Sequence, residues 1–236
     1  MSTEDRQNRN SVFNSNKGVP RRDVLKEDFD FDVPVENIPL PSLGKTYPTD
    51  SPLHGQDSVA VRAMTAKEED ILTSRALIKK GTVITHLIQS CLIDKNINVR
   101  SALSGDRNAL MVGLRVTGYG AGYSADVECP ECAEKSSQTF DLSQLPIKSL
   151  EIDPVEPGEN IFEFELPLTE KKVHFRFLTG ADEEEIMVTN ERKKKTGMTN
   201  SSLVTTRLMY SIVSVGGITD KAKISTFIRN MPARDS

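Results

Sequence analysis

The chain has 236 residues, enough to bury a sizeable core in one large or two small domains. Its 34 acidic residues outnumber 30 Lys and Arg, and a net charge of −4 lacks the basic footprint of a general nucleic-acid or membrane-surface binder. Three cysteines are too few, and odd in number, for a disulfide scaffold.

No apolar run reaches membrane-spanning length. The polar start Met1-Ser-Thr-Glu-Asp5 has no secretory apolar segment. These features describe a soluble protein made and kept in a reducing cytoplasm.

Residues 1–37 read as an extended N-terminal arm. Ser2–Val19 is rich in Asn, Ser and charge and has too few core-forming residues to fold alone. Phe29, Phe31, Val33 and Val35 then alternate with Asp28, Asp30 and Asp32, a period-two pattern that predicts a strand with one apolar face. Such a strand must pair, either with its own domain or with a partner subunit.

Residues 38–124 form a first unit. Prolines at 39, 41, 48 and 52 exclude helix up to a strand over Val59–Ala63. Thr65 with Glu68 is a capping-box pattern that opens a helix, and Lys79-Lys80-Gly81 closes it. Val83, Leu87 and Cys91, with Ile84, Ile88 and Leu92 beside them, make the apolar stripe of the next helix. A third helix starts at Ser104-Gly-Asp106-Arg107 and ends at the glycines of Gly118–Gly122. Helix precedes glycines here, which is the wrong order for a dinucleotide loop.

Residues 125–147 read as a small β insert containing Cys129-Pro-Glu-Cys132. That spacing has the form of a zinc knuckle, a tight turn presenting two thiolates to one metal. No second C-x-x-C or C-x-x-H follows. Cys91 sits on a helical stripe and belongs to the core, and His54, His86 and His174 are scattered. Three readings stay open: a metal-free hairpin, which is favoured, a half-site completed by another subunit, or a site completed by distant residues. A redox dithiol would lack the helix start that usually lowers a thiol pKa.

Residues 148–160 are an acidic linker with Pro and Gly. Residues 161–236 form a second unit. Ile161–Leu166 and Lys172–Leu178 alternate as a hairpin, with His174 facing away from Val173 and Phe175. Thr179 with Asp182 opens a helix that closes at Lys193-Lys194-Lys195 before Gly197. Val204, Leu208 and Ile212, with Met209 and Val213, form the stripe of the following helix. Pro232 looks like a first helical residue, yet the chain stops soon after, so the second unit is expected to lack the third helix of the first.

The two units match in outline. Each reads as a strand ending in Arg (Arg62, Arg176), a Thr cap with an acid three residues on, a helix, a turn and another helix. The expected fold class is α+β: two similar hairpin-plus-helices units, joined by the β insert with its knuckle-like turn, and an extended arm. Arg62 and Arg176 are expected to pair with the acids of their own units.

The blocks Pro41-Ser-Leu-Gly44, Val61–Leu72, Lys79-Lys-Gly81-Thr, Gly105-Asp106-Arg107-Asn108-Ala, Cys129-Pro-Glu-Cys132 and Phe140-Asp-Leu-Ser143, in that order, resemble the T-even-type bacteriophage baseplate protein family. The resemblance runs from Leu40 to the C-terminus, with Met231–Ser236 similar to a later block. It implies a structural subunit of a contractile tail's baseplate or hub. Such a subunit works through contacts with other baseplate, hub and tail proteins, in several copies, in a virion assembled in the host cytoplasm. The alternative it leaves is an assembly chaperone for the hub or the tape-measure protein. The family brings no catalytic residues.

The residues agree with a role without chemistry. Glu68-Glu-Asp70 and Asp182-Glu-Glu-Glu185 could supply paired carboxylates, but capping and the helix dipole already explain them. No triad order, phosphate loop or metal-binding His pair is present. Neither nucleic acid nor membrane is an expected partner, and no cofactor is expected. The only metal candidates are Cys129 and Cys132.

Overall fold

The computed structural model describes residues 31–195 and 203–236. The chain divides into Met1–Pro34 and Val35–Ser236. Residues 31–34 carry no regular secondary structure, residues 1–30 of the predicted arm lie outside the described residues, and its last three, Val35–Asn37, belong to the second unit. All that follows concerns Val35–Ser236.

The class is mixed α+β, with seven α-helices and small antiparallel sheets among the described residues. Strand β1 (Val35–Pro39) pairs antiparallel with β2 (Ser58–Arg62), Val35 opposite Arg62 and Ile38 opposite Val59. Of the strand predicted over Phe29–Val35, Phe29 and Asp30 lie outside the described residues, 31–34 are not strand, and only Val35 enters β1, whose partner is in its own chain. Prolines in the intervening loop leave turns where a helix cannot form.

The helix predicted after Thr65 is broken. It runs as α1 (Ala66–Thr73) and α2 (Arg75–Lys80), with extended backbone at Ser74. Gly81 ends α2 in the left-handed conformation, φ 70°, as a C-terminal glycine does without the steric cost of a side chain. Helix α3 (Val83–Cys91) buries Leu87, Ile88 and Cys91. Leu92 then bridges back to Val61 on β2. Helix α4 (Ser104–Tyr119) follows, burying Leu110 and Leu114.

An exposed hairpin comes next: β3 (Gly122–Glu128) against β4 (Lys135–Asp141). The segment 148–160 has no regular structure, and it is stitched to the proline loop. Leu150 N–H donates to Pro41 O at 2.7 Å, Gly158 N–H to Lys45 O at 3.2 Å, and Lys45 pairs with Asp153 at 2.8 Å.

Strands β5 (Phe162–Glu165) and β6 (Lys172–Phe175) form the predicted second hairpin. Helix α5 (Gly180–Lys195) and helix α6 (Leu203–Ser211) follow; Gly197 lies outside the described residues. Two readings are corrected here. Ile212 and Val213 belong to β7 (Ile212–Val215), which adds to β6 with Val173 opposite Val215. The helical stripe failed because the open edge of β6 offers backbone partners that a further helical turn would forgo. A third helix does follow the second hairpin: α7 (Lys221–Asn230), capped by the Asp220 carboxylate on Lys223 N–H at 2.9 Å. Pro232 begins a turn beyond it.

The first half runs as β1, β2, α1, α2 and α3, with a single bridge from Leu92 back to β2; the second runs as β5, β6, α5 and α6, with strand β7 back on β6. Two apolar clusters support them. One gathers Leu40, Val61, Ile88, Leu92, Val99 and Leu114, with Phe177 against it. The other gathers Leu166, Val173, Val215, Ile224 and Ile228. Phe162, fully buried, stacks on Phe175 and meets Phe177 edge-on, ring centroids 5.6 and 4.9 Å apart.

Candidate functional site

Each acid-capped helix carries an Arg, Thr and acid at the same spacing. Arg62 grips Glu68 with both nitrogens, at 3.0 and 2.7 Å, while Thr65 N–H and hydroxyl both donate to Glu68 Oε2. Ser90 Oγ donates to Oε1 at 2.6 Å. Arg176 grips Asp182 likewise at 2.8 and 2.7 Å, and Thr179 N–H and hydroxyl donate to Asp182 Oδ2. Burial works to raise the Glu68 pKa, but hydrogen bonds from Arg62, Ser90 and Thr65 outweigh it and hold the carboxyl well below its usual range. Asp182 is lowered by the same balance of burial against Arg176 and Thr179. Both arginines therefore hold their own units together, as the sequence predicts.

A buried polar seam ties α4 to the proline loop and to α3, and from there reaches the second half at Glu184 and the start of α5. Asp106, in the first turn of α4, is 1% exposed. It accepts from Ser42 N–H at 2.9 Å, Ser42 Oγ at 2.6 Å and Tyr47 Oη at 2.5 Å. Tyr47 Oη in turn accepts from Leu103 N–H at 2.9 Å. Burial and the Asp106 charge push the Tyr47 phenol far above its ordinary pKa, so it stays a donor. Arg107 is buried beside it, with Nη2 donating to Thr85 Oγ1 at 2.9 Å. Thr85 Oγ1 donates to Glu184 Oε1 at 2.6 Å, and Arg100 Nε reaches Glu184 Oε2 at 2.9 Å. At the start of α5, Gly180 and Ala181 N–H donate to the carbonyls of Ala102 and Arg100. Two of the helix's free N–H groups are thus satisfied by the other half.

These contacts account for the acidic clusters except Asp70, which is exposed on α1. Glu68 and Asp182 are ion-paired, Glu184 bridges Thr85 and Arg100, and Glu183 pairs with Arg207 at 2.7 Å. Glu69 and Glu185 accept from Tyr119 and Tyr210 at 3.2 Å. Sequence reading missed Asp106 and Arg107 as buried residues. Only their place in a run of family-like blocks marked them.

The surface offers two features that suit contact with other proteins. An open groove of about 480 Å³ runs beside α4, lined by Ile38, Val112, Val116, Leu142, Leu145 and Ile147. The β3–β4 hairpin projects with almost every residue exposed, and one ribbon face carries Tyr123, Val127 and Phe140 at 42–47% exposure. Two-stranded ribbons are at best marginally stable alone in water.

Cys129 and Cys132 lie at the tip of that hairpin, Cys132 exposed and Cys129 half-buried. The turn closes through Cys129 N–H on Glu134 O and Ala133 N–H on Cys129 O, both 2.9 Å, with Ala133 at φ 57°. The backbone N–H groups of Cys132 and Glu131, with the Cys132 side chain, lower the Cys129 thiol pKa. Turn amides thus supply what the sequence reading expected only of a helix start. Cys91 is fully buried in the core. His174 faces Ser214 Oγ at 2.8 Å, and His54 Nδ1 lies 2.6 Å from Tyr47 O. Among the described residues no group of three or more His, Cys, Asp or Glu is arranged to hold a metal ion, and no helix is long and apolar enough to cross a membrane.

No curated protein and no solved structure matches the chain. A model of the T4 bacteriophage base plate protein family matches residues 40–232, a span that holds both Arg–Thr–acid caps, the seam and the hairpin. The chain belongs to the T4 bacteriophage base plate protein family, and its role is structural, in the baseplate of the phage tail, among other baseplate and tail proteins.

Proposed function

We propose that this chain is a retained structural subunit of the baseplate hub of a contractile tail, acting through protein–protein contacts and without enzymatic activity. The family match over residues 40–232 carries this reading. The exposed hairpin and the apolar groove support it, because each presents surface that a lone chain leaves uncovered. Of the acids that might have done chemistry, Glu68 and Asp182 are occupied in caps and ion pairs. Its partners are other hub and tail proteins, met in several copies during assembly in the host cytoplasm, with neither nucleic acid nor membrane among them.

The repeated spacing Arg62–Thr65–Glu68 and Arg176–Thr179–Asp182 supports descent of 38–124 and 161–236 from one duplicated unit, with 125–147 inserted and 148–160 as the joint. A second reading, an assembly chaperone for the hub or the tape-measure protein, draws on the same uncovered surfaces. Quantitative mass spectrometry of purified mature tails separates the two. A retained subunit appears at a fixed whole-number ratio to the tail's other components. A chaperone appears in assembly intermediates and is lost from finished tails.

A further inference from the structure

We propose that Cys129 and Cys132 are half of a zinc site, completed by the same two thiolates of a second copy of this chain across a two-fold axis. Zinc in a structural site takes four ligands in a tetrahedron, commonly all cysteine. One hairpin supplies two. The chain's only other cysteine, Cys91, is fully buried in the core and cannot reach the tip. His54 and His174 are engaged with Tyr47 and Ser214. The described residues place no third ligand with the pair. A two-fold interface brings one surface against itself, so a second copy would supply the missing pair of thiolates.

The turn is already shaped for metal. Cys129 N–H donates to Glu134 O and Ala133 N–H to Cys129 O, both at 2.9 Å, and these bonds hold the loop closed with the two cysteines at its tip. Among the described residues nothing covers the tip, since Pro130–Phe140 is exposed throughout. Two ribbons brought together this way can also cover Tyr123, Val127 and Phe140. Binding one zinc ion releases four protons, one from each thiol. The tips carry Glu128, Glu131 and Glu134 against a single Lys135, so like charge opposes pairing and the metal must drive it.

The test is zinc titration of the reduced full-length chain, with mass followed by light scattering and metal content by elemental analysis. The expected result is a monomer mass in chelator, a doubled mass in zinc, and one zinc for two chains. Cobalt(II) in place of zinc should give the visible bands of a tetrahedral all-thiolate complex. Cys129→Ser and Cys132→Ser should each abolish both signals while leaving the circular dichroism spectrum unchanged. A mass that stays monomeric in saturating zinc, a ratio of one metal per chain, or a doubled mass that survives Cys129→Ser overturns the proposal. None of these outcomes bears on whether the chain is retained in mature tails, so this test and the proteomic one fail separately.

Discussion

Arg107 lies directly across Gly180: a Cβ built on Gly180 would stand 1.8 Å from Arg107 Nη1, 2.6 Å from Cζ and 2.9 Å from Cδ. The guanidinium of α4 occupies the space where every other residue type would place a side chain at the start of α5. Because Arg107 is only 8% exposed, it has no open solvent to retreat into. Gly180→Ala should therefore destabilise the chain by about 1–3 kcal/mol, the range for over-packing a filled site. Urea unfolding measures it. In an Arg107→Ala background the same substitution should cost clearly less, because the obstructing atoms are gone.

Glu68 is fully buried under Arg62, which is 23% exposed, whereas Asp182 and Arg176 are 12% and 30% exposed. Removing the charge from the more buried acid strands its arginine in the poorer solvent. Glu68→Gln should cost roughly 2–4 kcal/mol, and Asp182→Asn roughly 1–3 kcal/mol. The urea midpoints of the two variants, compared at neutral pH, check the order.

Acid should unfold the protein through the same two carboxyls. Their folded pKa values lie below the ordinary 4.5 and 3.8, so the unfolded chain binds protons first as pH falls. The stabilisation is fully present above about pH 5, and it declines as pH drops through 4.5 and below, at up to about 1.4 kcal/mol per pH unit for each proton taken up. Unfolding curves between pH 6 and pH 3 should show this slope. Glu68→Gln should flatten it.

Tyr47 sits between two groups that have no water to turn to. Its hydroxyl donates to Asp106 and accepts from Leu103 N–H, at 2.5 and 2.9 Å. Tyr47→Phe leaves both short of a partner and should cost about 1–3 kcal/mol. A thermal melt detects it, and the cost should shrink in an Asp106→Asn background, where no buried charge is left unsolvated.

The β3–β4 hairpin should be removable. Gly122 and Asp141 face each other in register at its base, and Leu142 N–H donates to Ala121 O at 2.9 Å, so a Gly-Gly link can replace Tyr123–Phe140 without moving either end. The melting temperature should shift by less than about 4 °C, the equivalent of about 1 kcal/mol for a chain of this size. Incorporation of the shortened chain into tails should fall if the ribbon is a contact surface.

The sequence by itself determined the local elements whose signals are short-range. Thr65 with Glu68 and Thr179 with Asp182 announce helix starts because a cap is made within four residues, and Gly81 announces a stop for the same reason. The tight turn at Cys129–Cys132 and the alternation of Lys172–Phe175 were legible on the same grounds. Tertiary structure alone decided what depends on distant partners. Ile212 and Val213 carry a helical stripe but became strand because β6, some forty residues earlier, had an open edge. Asp106 looks like an ordinary first-turn acid, yet it is the buried tie between α4 and a loop about sixty residues before it. Gly180 reads as a weak helix residue, and only the guanidinium of Arg107 explains why no side chain stands there. Hydrogen bonds within one turn are written in neighbouring residues; those that close long loops are chosen by the whole packed chain, which no window of sequence contains.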